Sequence, residues 1–212
     1  MVAGFAQSLP NDTLMQFARG ERARGAVRAI DVGCGAGRNA LPLARAGWDV
    51  VGLDASRPML DAAAVRSAAE PPAARLRLIE ATMDALPITS QSADLVIPHG
   101  IWNLSRSSGE FRTGLREAAR IARPGAGLFL FTFSRHTLPA DVIPVSGETF
   151  VFTQFSGEPQ CFLTSGQILT ELQEVGFTPD PSVPLRELNK PVGLRQADSG
   201  PVVYEGTFRR DK

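Results

Sequence analysis

The sequence has few of the residues that mark disulfide-linked or metal-binding domains. It contains two cysteines, Cys34 and Cys161, in 212 residues, and two histidines. The two cysteines have neither the spacing of a metal site nor the number that a disulfide framework needs. The sequence therefore predicts a reduced protein that holds no metal.

An excess of charge of one sign is also absent. Lys plus Arg and Asp plus Glu both number 22, so the formal net charge is zero. A protein that binds nucleic acid through bulk electrostatics needs a basic excess. The basic residues between Arg19 and Arg28 are interpreted as a solvated helix end, and no nucleic-acid partner is expected.

Long apolar runs are missing as well. The sequence shows no stretch of about 18 apolar residues and no N-terminal signal pattern. We therefore expect a cytoplasmic protein without a membrane partner. The length fits one α/β domain over residues 1–212, present as a monomer or a homodimer.

Predicted strands and helices alternate along the chain. Apolar runs predict strands at 27–32, 48–53, 75–80, 94–98, 127–133, 177–185 and 201–210. Helical patterns fall at 10–19, 38–46, 57–69, 110–122 and 165–175. This order predicts a doubly wound, mostly parallel sheet with helices on both faces.

Residues 29–54 are the most informative part of the sequence. They read as a strand, a glycine-rich turn, a helix and a second strand that ends in Asp54. Gly33, Gly35 and Gly37 give the spacing G-x-G-x-G, whereas the dinucleotide fingerprint needs a third glycine three residues after the second. Glycine permits positive φ and lets a ligand approach the backbone closely. A carboxylate at the end of the second strand can accept hydrogen bonds from both hydroxyls of a ribose.

This stretch closely resembles the cofactor motif of class I S-adenosylmethionine-dependent methyltransferases. The resemblance implies S-adenosylmethionine as cofactor and a seven-stranded sheet whose last strand is antiparallel. It places Asp31, two residues before the first glycine, near the methionine end of the cofactor, and Asp54 at the ribose, with Ala55 beside it.

A second motif of the family follows the third predicted strand. Residues 81–87, Ala-Thr-Met-Asp-Ala-Leu-Pro, resemble the loop that contacts adenine. The resemblance assigns the adenine amino group to Asp84 and a backbone contact with the ring to Met83. Arg123-Pro124-Gly125-Ala126-Gly127 resembles the structural turn into the fifth strand.

The acceptor side is less well marked. The loop Pro98-His99-Gly100-Ile101-Trp102 follows the fourth strand, and it is not the Asn/Asp-Pro-Pro-Tyr/Phe sequence of methyltransferases that act on exocyclic or amide nitrogen. We therefore expect a small-molecule acceptor methylated at oxygen, with sulfur and carbon still open. His99 is a candidate general base, or a residue that contacts the cofactor, because histidine titrates near neutral pH.

Three further residues are candidates for acceptor binding: Trp102, His136 after the fifth strand, and Phe152. Phe152 lies in residues 138–164, a long connection whose phenylalanines alternate with polar residues. We predict a hairpin of 148–155 with 160–164 that covers the acceptor or packs on the domain or a second subunit. Residues 1–26 are expected to form a short helical cap.

Two other functions remain open at this stage. A non-catalytic module that binds S-adenosylmethionine would keep the glycine loop without an acceptor pocket. An NAD(P)-dependent oxidoreductase would share the fold, although the glycine spacing argues against it. An RNA or protein methyltransferase would need a recognition surface that the sequence does not show.

Overall fold

A computed structural model describes residues 9–69, 75–190 and 200–212. Ten strands are assigned in these ranges: β1 Arg28–Val32, β2 Asp49–Asp54, β3 Leu76–Glu80, β4 Ala93–Pro98, β5 Ala122–Phe133, β6 Val151–Phe152, β7 Gln160–Cys161, β8 Phe177–Pro179, β9 Arg186–Leu188 and β10 Val203–Arg210. The helices are α1 Asp12–Ala23, α2 Ala40–Arg45, α3 Arg57–Ala68, α4 Ser108–Ile121 and α5 Ser165–Glu174.

The main sheet has the strand order β3-β2-β1-β4-β5-β10-β8. The pairs from β3 to β5 are parallel, whereas β10 runs antiparallel to β5. β8 and β9 pair with successive parts of β10. The structure confirms the predicted doubly wound sheet and the antiparallel last strand.

Two apolar layers cover the two faces of the sheet. Consecutive strand residues alternate between them: Ile30 and Val51 belong to one cluster, and Ala29 and Val50 to the other. Helices α4 and α5 bury their apolar faces in the first layer, and α1, α2 and α3 in the second. No helix in the described ranges is long and apolar enough to cross a membrane.

Side-chain caps fix where several helices begin. Asn11 Oδ1 accepts a hydrogen bond from Leu14 N at 2.9 Å at the start of α1. Thr164 caps α5 in a capping box with Gln167. Each cap satisfies a backbone N–H that has no partner within its helix.

Two predicted strands have different limits in the structure. The strand expected at 177–185 stops at Pro179 and resumes as β9, because Asp180 turns the chain by accepting from Ser182 N at 2.8 Å. β5 begins at Ala122 rather than at 127, and a register shift against β4 accommodates the intervening proline and glycine.

The predicted hairpin exists but is short. β6 and β7 pair over two residues each, with Val151 opposite Cys161 and Phe152 opposite Gln160. The remaining residues of the predicted strands form turns and loops. Phe150, Phe152 and Phe162 are buried, whereas Phe155 is 45% exposed.

Candidate cofactor and acceptor site

The glycine loop follows β1, at the edge of the sheet where the parallel strands end. Gly33, Gly35 and Gly37 all adopt positive φ, at 74°, 53° and 78°. The amides of Gly33 and Cys34 donate to Leu53 O at 2.7 and 2.9 Å, which fixes the loop against β2. A Cβ added at Gly35 would meet no atom within 4 Å, so the middle of the loop faces open space. Ligands of open α/β sheets bind at this edge.

Asp54, at the end of β2, holds the loop in place. Its Oδ2 accepts from Gly35 N and its Oδ1 from Ser56 N, both at 2.8 Å. A carboxylate offers about four acceptor positions, so these two backbone bonds leave lone pairs for a ligand. The half-buried side chain can therefore accept further hydrogen bonds from a ligand. The neighbouring Ala55 is exposed beside it.

Asp31 is the most unusual group of the site. Its side chain is 1% exposed, and its Oδ2 has no hydrogen-bond partner among the described residues. Burial, reinforced by the charge of Asp54, raises the pKa of Asp31 to about 7. A buried carboxylate oxygen without a partner is costly, and a cationic ligand removes that cost. The α-ammonium group of S-adenosylmethionine is such a cation, so the residues present fit the expected cofactor.

Cys34 lies within the same loop. It is buried, and its burial beside Asp31 and Asp54 raises the pKa of the thiol far above its usual range. Since the thiolate is the reactive form, this cysteine is a packing residue of the turn.

The loop after β3 is held by α4. Leu86 N donates to Glu117 Oε2 at 2.8 Å, and Arg120 donates to the carbonyls of Leu86 and Ile88. Asp84 is exposed on this loop, while Met83 is half-buried, packs against the core and accepts a weak bond from Ser105 Oγ. The Met83 side chain therefore points into the protein, which leaves its backbone for the predicted adenine contact.

His99, the candidate base after β4, is already engaged. Its Nε2 accepts from Asn11 Nδ2 at 3.3 Å, and its ring stacks on Phe131 with centroids 4.2 Å apart. Burial, together with the charge of Arg38, lowers the pKa of His99 to about 4. A histidine with this pKa and an occupied Nε2 is poorly suited to accept a proton at neutral pH. The structure therefore favours a positioning role for His99 over the predicted role as a base.

Asn11 links His99 to the N-terminal helix, a connection that sequence reasoning missed. Its amide also donates to Glu205 Oε2 at 2.8 Å, and its backbone N–H donates to Asn39 Oδ1 at 3.1 Å. The start of α1 is thus held next to the glycine loop and β4. No local pattern indicates this contact, because His99 and Glu205 lie 88 and 194 residues away in the sequence.

Trp102 requires a correction. The sequence predicted that it faces the acceptor, but its indole is 1% exposed and packs edge-on against Phe111 at 6.1 Å. A short helical turn over Trp102–Leu104 directs the side chain into the core beside α4. Trp102 packs in the core between α4 and the loop after β4 and so stabilises that loop.

Phe152 requires a similar correction. It is 3% exposed, in a small cluster with Phe162 and Leu138 beneath the hairpin, and Arg135 lies over its ring. Neighbouring strand residues point to opposite sides, and both sides of the hairpin are covered here, since Val151 is buried in the main core while Phe152 is buried in the small cluster. The exposed ring is Phe155, which contacts Phe133 at a centroid distance of 5.2 Å.

His136 lies just after β5, in a short helical turn, and its imidazole pairs with Glu187. Its Nδ1 is 2.7 Å from Glu187 Oε1, and its imidazole is 63% exposed. Ser134 Oγ and Lys190 Nζ also contact the Glu187 carboxylate. Residues 191–199, which follow Lys190, lie outside the described ranges.

Comparison with known proteins agrees with this geometry. A family profile described as "Methyltransferase domain" matches residues 29–125, which include the glycine loop, Asp54 and the loops after β3 and β4. The match ends at Gly125, near the start of β5, and does not include His136 or Glu187.

Two curated relatives match about half of the chain. A ubiquinone/menaquinone biosynthesis C-methyltransferase of Syntrophotalea carbinolica is 34% identical over 54% of the chain and 47% of its own length. A ubiquinone biosynthesis O-methyltransferase of Sinorhizobium medicae is 31% identical over 56% of the chain and 46% of its own length. The chain thus spans about half the length of these relatives.

The fold is shared with a solved structure. The 1,6-didemethyltoxoflavin-N1-methyltransferase of Burkholderia thailandensis, solved with S-adenosylhomocysteine, superposes with a TM-score of 0.68 over 94% of the chain and 79% of its own. At 16% sequence identity, this likeness concerns the fold alone.

Proposed function

Because the chain carries a class I S-adenosylmethionine-dependent methyltransferase domain, we propose that it transfers a methyl group from S-adenosylmethionine to an oxygen atom of a small molecule. The observation that carries the proposal is the glycine loop, where a buried carboxylate without a partner lies beside a carboxylate that retains free lone pairs. This pair suits a ligand with an ammonium group and a ribose. The proposed cofactor residues are Asp31, Gly33, Gly35, Gly37, Asp54, Ala55, Met83, Asp84 and His99.

The glycines, Asp31 and Asp54 have distinct roles in cofactor binding. The positive-φ glycines bring the backbone against the cofactor. Asp31 balances its ammonium group, and Asp54 accepts from its ribose. The bound cofactor supplies an electrophilic methyl group. The transition state disperses the sulfonium charge, so the main demand on the protein is to hold the acceptor atom in line, and orientation of this kind contributes about 7–11 kcal/mol.

The choice of a small acceptor and of oxygen rests on three features. The loop after β4 lacks the nitrogen-type motif, the net charge is zero, and the partly exposed Phe155 contacts Phe133 at the end of β5. Curated relatives include methyltransferases named for oxygen and for carbon. We propose oxygen as the acceptor atom, and the experiment below distinguishes it from nitrogen, sulfur and carbon acceptors.

The test is transfer of a radiolabelled methyl group from S-adenosylmethionine to a panel of small phenols, thiols, amines and carbon nucleophiles. We expect label in a phenol product with the wild type and at least a tenfold loss with Asp54→Ala. Asp61→Asn, an exposed site on α3, is the matched control and retains full transfer. Label only in an amine, thiol or carbon product refutes the oxygen assignment. Tight cofactor binding without any labelled product identifies a binding module instead.

A further inference from the structure

We propose that His136, oriented by Glu187, is the general base that takes the proton from the acceptor hydroxyl, and that the acceptor is a phenol. This assignment rests on the proposed function and adds a catalytic residue and a substrate class to it. It also moves the acid–base role from His99 to the other histidine of the chain.

The contact with Glu187 sets the tautomer of the neutral His136 ring. A carboxylate only accepts hydrogen bonds, so the 2.7 Å contact with Glu187 Oε1 places the proton of the neutral imidazole on Nδ1. Nε2 is then the basic nitrogen. The imidazole is 63% exposed, so Nε2 is accessible to a bound molecule, in contrast to the occupied Nε2 of His99.

Glu187 is built into the fold as a fixed carboxylate. Its side chain is 8% exposed, and β9 ties it to β10, where Glu187 lies opposite Tyr204. Hydrogen bonds reach it from Ser134, His136, Lys190 and the Tyr204 hydroxyl. Burial acts to raise the pKa of Glu187, but these donors outweigh it and lower the pKa to about 2. The carboxylate therefore stays ionised at neutral pH and holds the His136 ring in a fixed orientation through the contact with Nδ1.

The backbone around His136 is fixed as well. Ser134 Oγ accepts from His136 N at 3.1 Å, and Ser134 N donates to Val202 O at 2.9 Å. His136 thus projects from the carboxyl end of β5. At that edge β5 lies next to β4, as the bridge between His99 and Phe131 shows. Strands are about 4.8 Å apart, so β5 lies two strands, about 10 Å, from the glycine loop of β1.

Aromatic side chains at the end of β5 and in the connection that follows it indicate the class of acceptor. Phe133, three residues before His136, is half-buried and contacts Phe155 edge-on at 5.2 Å. Phe155 is 45% exposed although apolar side chains of this size are usually covered. An aromatic ring placed against these faces gains stacking contact. A phenol combines such a ring with a weakly acidic hydroxyl that needs a base at neutral pH.

The phenol proton moves to Nε2 of His136. The phenol oxygen forms a bond to the methyl carbon while the bond from that carbon to sulfur breaks, and the electron pair of the broken bond stays on sulfur. The products are a methyl ether, S-adenosylhomocysteine and a protonated His136, which returns its proton to solvent.

The test compares two phenols that differ in acidity. At pH 8 the reactive hydroxyl of catechol is mostly protonated, whereas that of 4-nitrocatechol is ionised and needs no base. We expect His136→Gln to lower kcat for catechol by roughly 10²-fold or more, within the range for general base catalysis, and for 4-nitrocatechol by less than about threefold. We expect Glu187→Gln to lower kcat for catechol about tenfold and to shift the pH dependence of kcat. Glu174→Gln, an exposed glutamate on α5, is the matched control.

Calorimetry with S-adenosylhomocysteine separates the possible failures, because all three variants should bind it with wild-type affinity. Equal losses for both phenols, or no loss for catechol, overturn the assignment of His136 as base. If the wild type binds S-adenosylhomocysteine but methylates neither phenol, the phenol and the base assignment are both wrong. Methylation of a different hydroxyl compound would then still uphold the proposed function.

Discussion

At the residue scale, two carboxylates set the properties of the cofactor site. Asp54 accepts hydrogen bonds from two backbone amides of the loops around it. Asp31 is buried beside it, and its Oδ2 has no hydrogen-bond partner among the described residues. Burial, together with the negative charge of Asp54, raises the pKa of Asp31 and so favours its protonation in the free protein. A bound ammonium group reverses this preference, so cofactor binding and proton release are coupled.

The coupling at Asp31 gives a prediction. Its pKa is about 7 in the free protein, so near pH 6 the carboxyl is mostly protonated and must ionise when an ammonium group binds. Affinity for S-adenosylhomocysteine should therefore rise with pH up to about 7, by as much as tenfold per pH unit. Calorimetry at pH 6 in buffers of different ionisation enthalpy should detect release of up to one proton per bound molecule.

The matched variants are Asp31→Asn and Asp61→Asn. The first should abolish the proton release and flatten the pH dependence, and the second should leave both unchanged. Proton release that persists in Asp31→Asn would assign the linkage to another group.

At the element scale, the connection from β5 to α5 contains both buried phenylalanines and a partly exposed one. The hairpin β6–β7 buries Phe152 and Phe162 against Leu138, while Phe155 remains partly exposed. Arg135 stabilises the loop between β5 and the hairpin by donating hydrogen bonds to the carbonyls of Leu138 and Val142. The inner rings therefore determine the stability of the segment, and the outer ring is free to contact a ligand.

This division predicts different costs for two equivalent truncations. Phe162→Ala removes a fully buried ring and should lower the free energy of unfolding by about 3–5 kcal/mol. Phe155→Ala removes a partly exposed ring and should cost no more than about 1 kcal/mol. Urea denaturation of the two variants measures both values. Similar losses would show that Phe155 also belongs to the core of the hairpin.

At the scale of the whole molecule, two buried titrating groups affect stability in opposite directions. The lowered pKa of His99 means that the unfolded chain binds more protons between about pH 4 and 6.5, so this group makes stability fall as pH falls. The raised pKa of Asp31 means that the folded protein binds more protons between about pH 4 and 7, so this group makes stability fall as pH rises. The two contributions largely cancel between pH 5 and 7.

Single substitutions should remove this cancellation. Relative to the wild type, His99→Gln should gain stability on acidification from pH 7 to 5, and Asp31→Asn should lose it. Each change should be on the order of 2 kcal/mol. Denaturant unfolding of the three proteins at both pH values measures the slopes. Parallel pH dependence in all three would contradict the assigned protonation states.

The sequence determined the fold more fully than the site. Apolar strand runs and the glycine spacing predicted the sheet and the loop that holds Asp31 and Asp54, because these are local patterns. The antiparallel last strand was implied by the family resemblance. Trp102 and Phe152 were misplaced since the direction of a large aromatic side chain depends on the turn that precedes it. The partners of the two histidines were missed because Asn11 and Glu187 reach them across 88 and 51 residues.

The central claim is that Asp54 and the glycine loop bind S-adenosylmethionine, and calorimetric titration of S-adenosylhomocysteine into the wild type and Asp54→Ala tests it most directly. The account predicts clear binding by the wild type. It predicts a loss of about 1.5–3 kcal/mol in a folded Asp54→Ala variant, the scale of a hydrogen bond to a charged group. Equal affinity in the two proteins, or no binding by the wild type, would contradict the account.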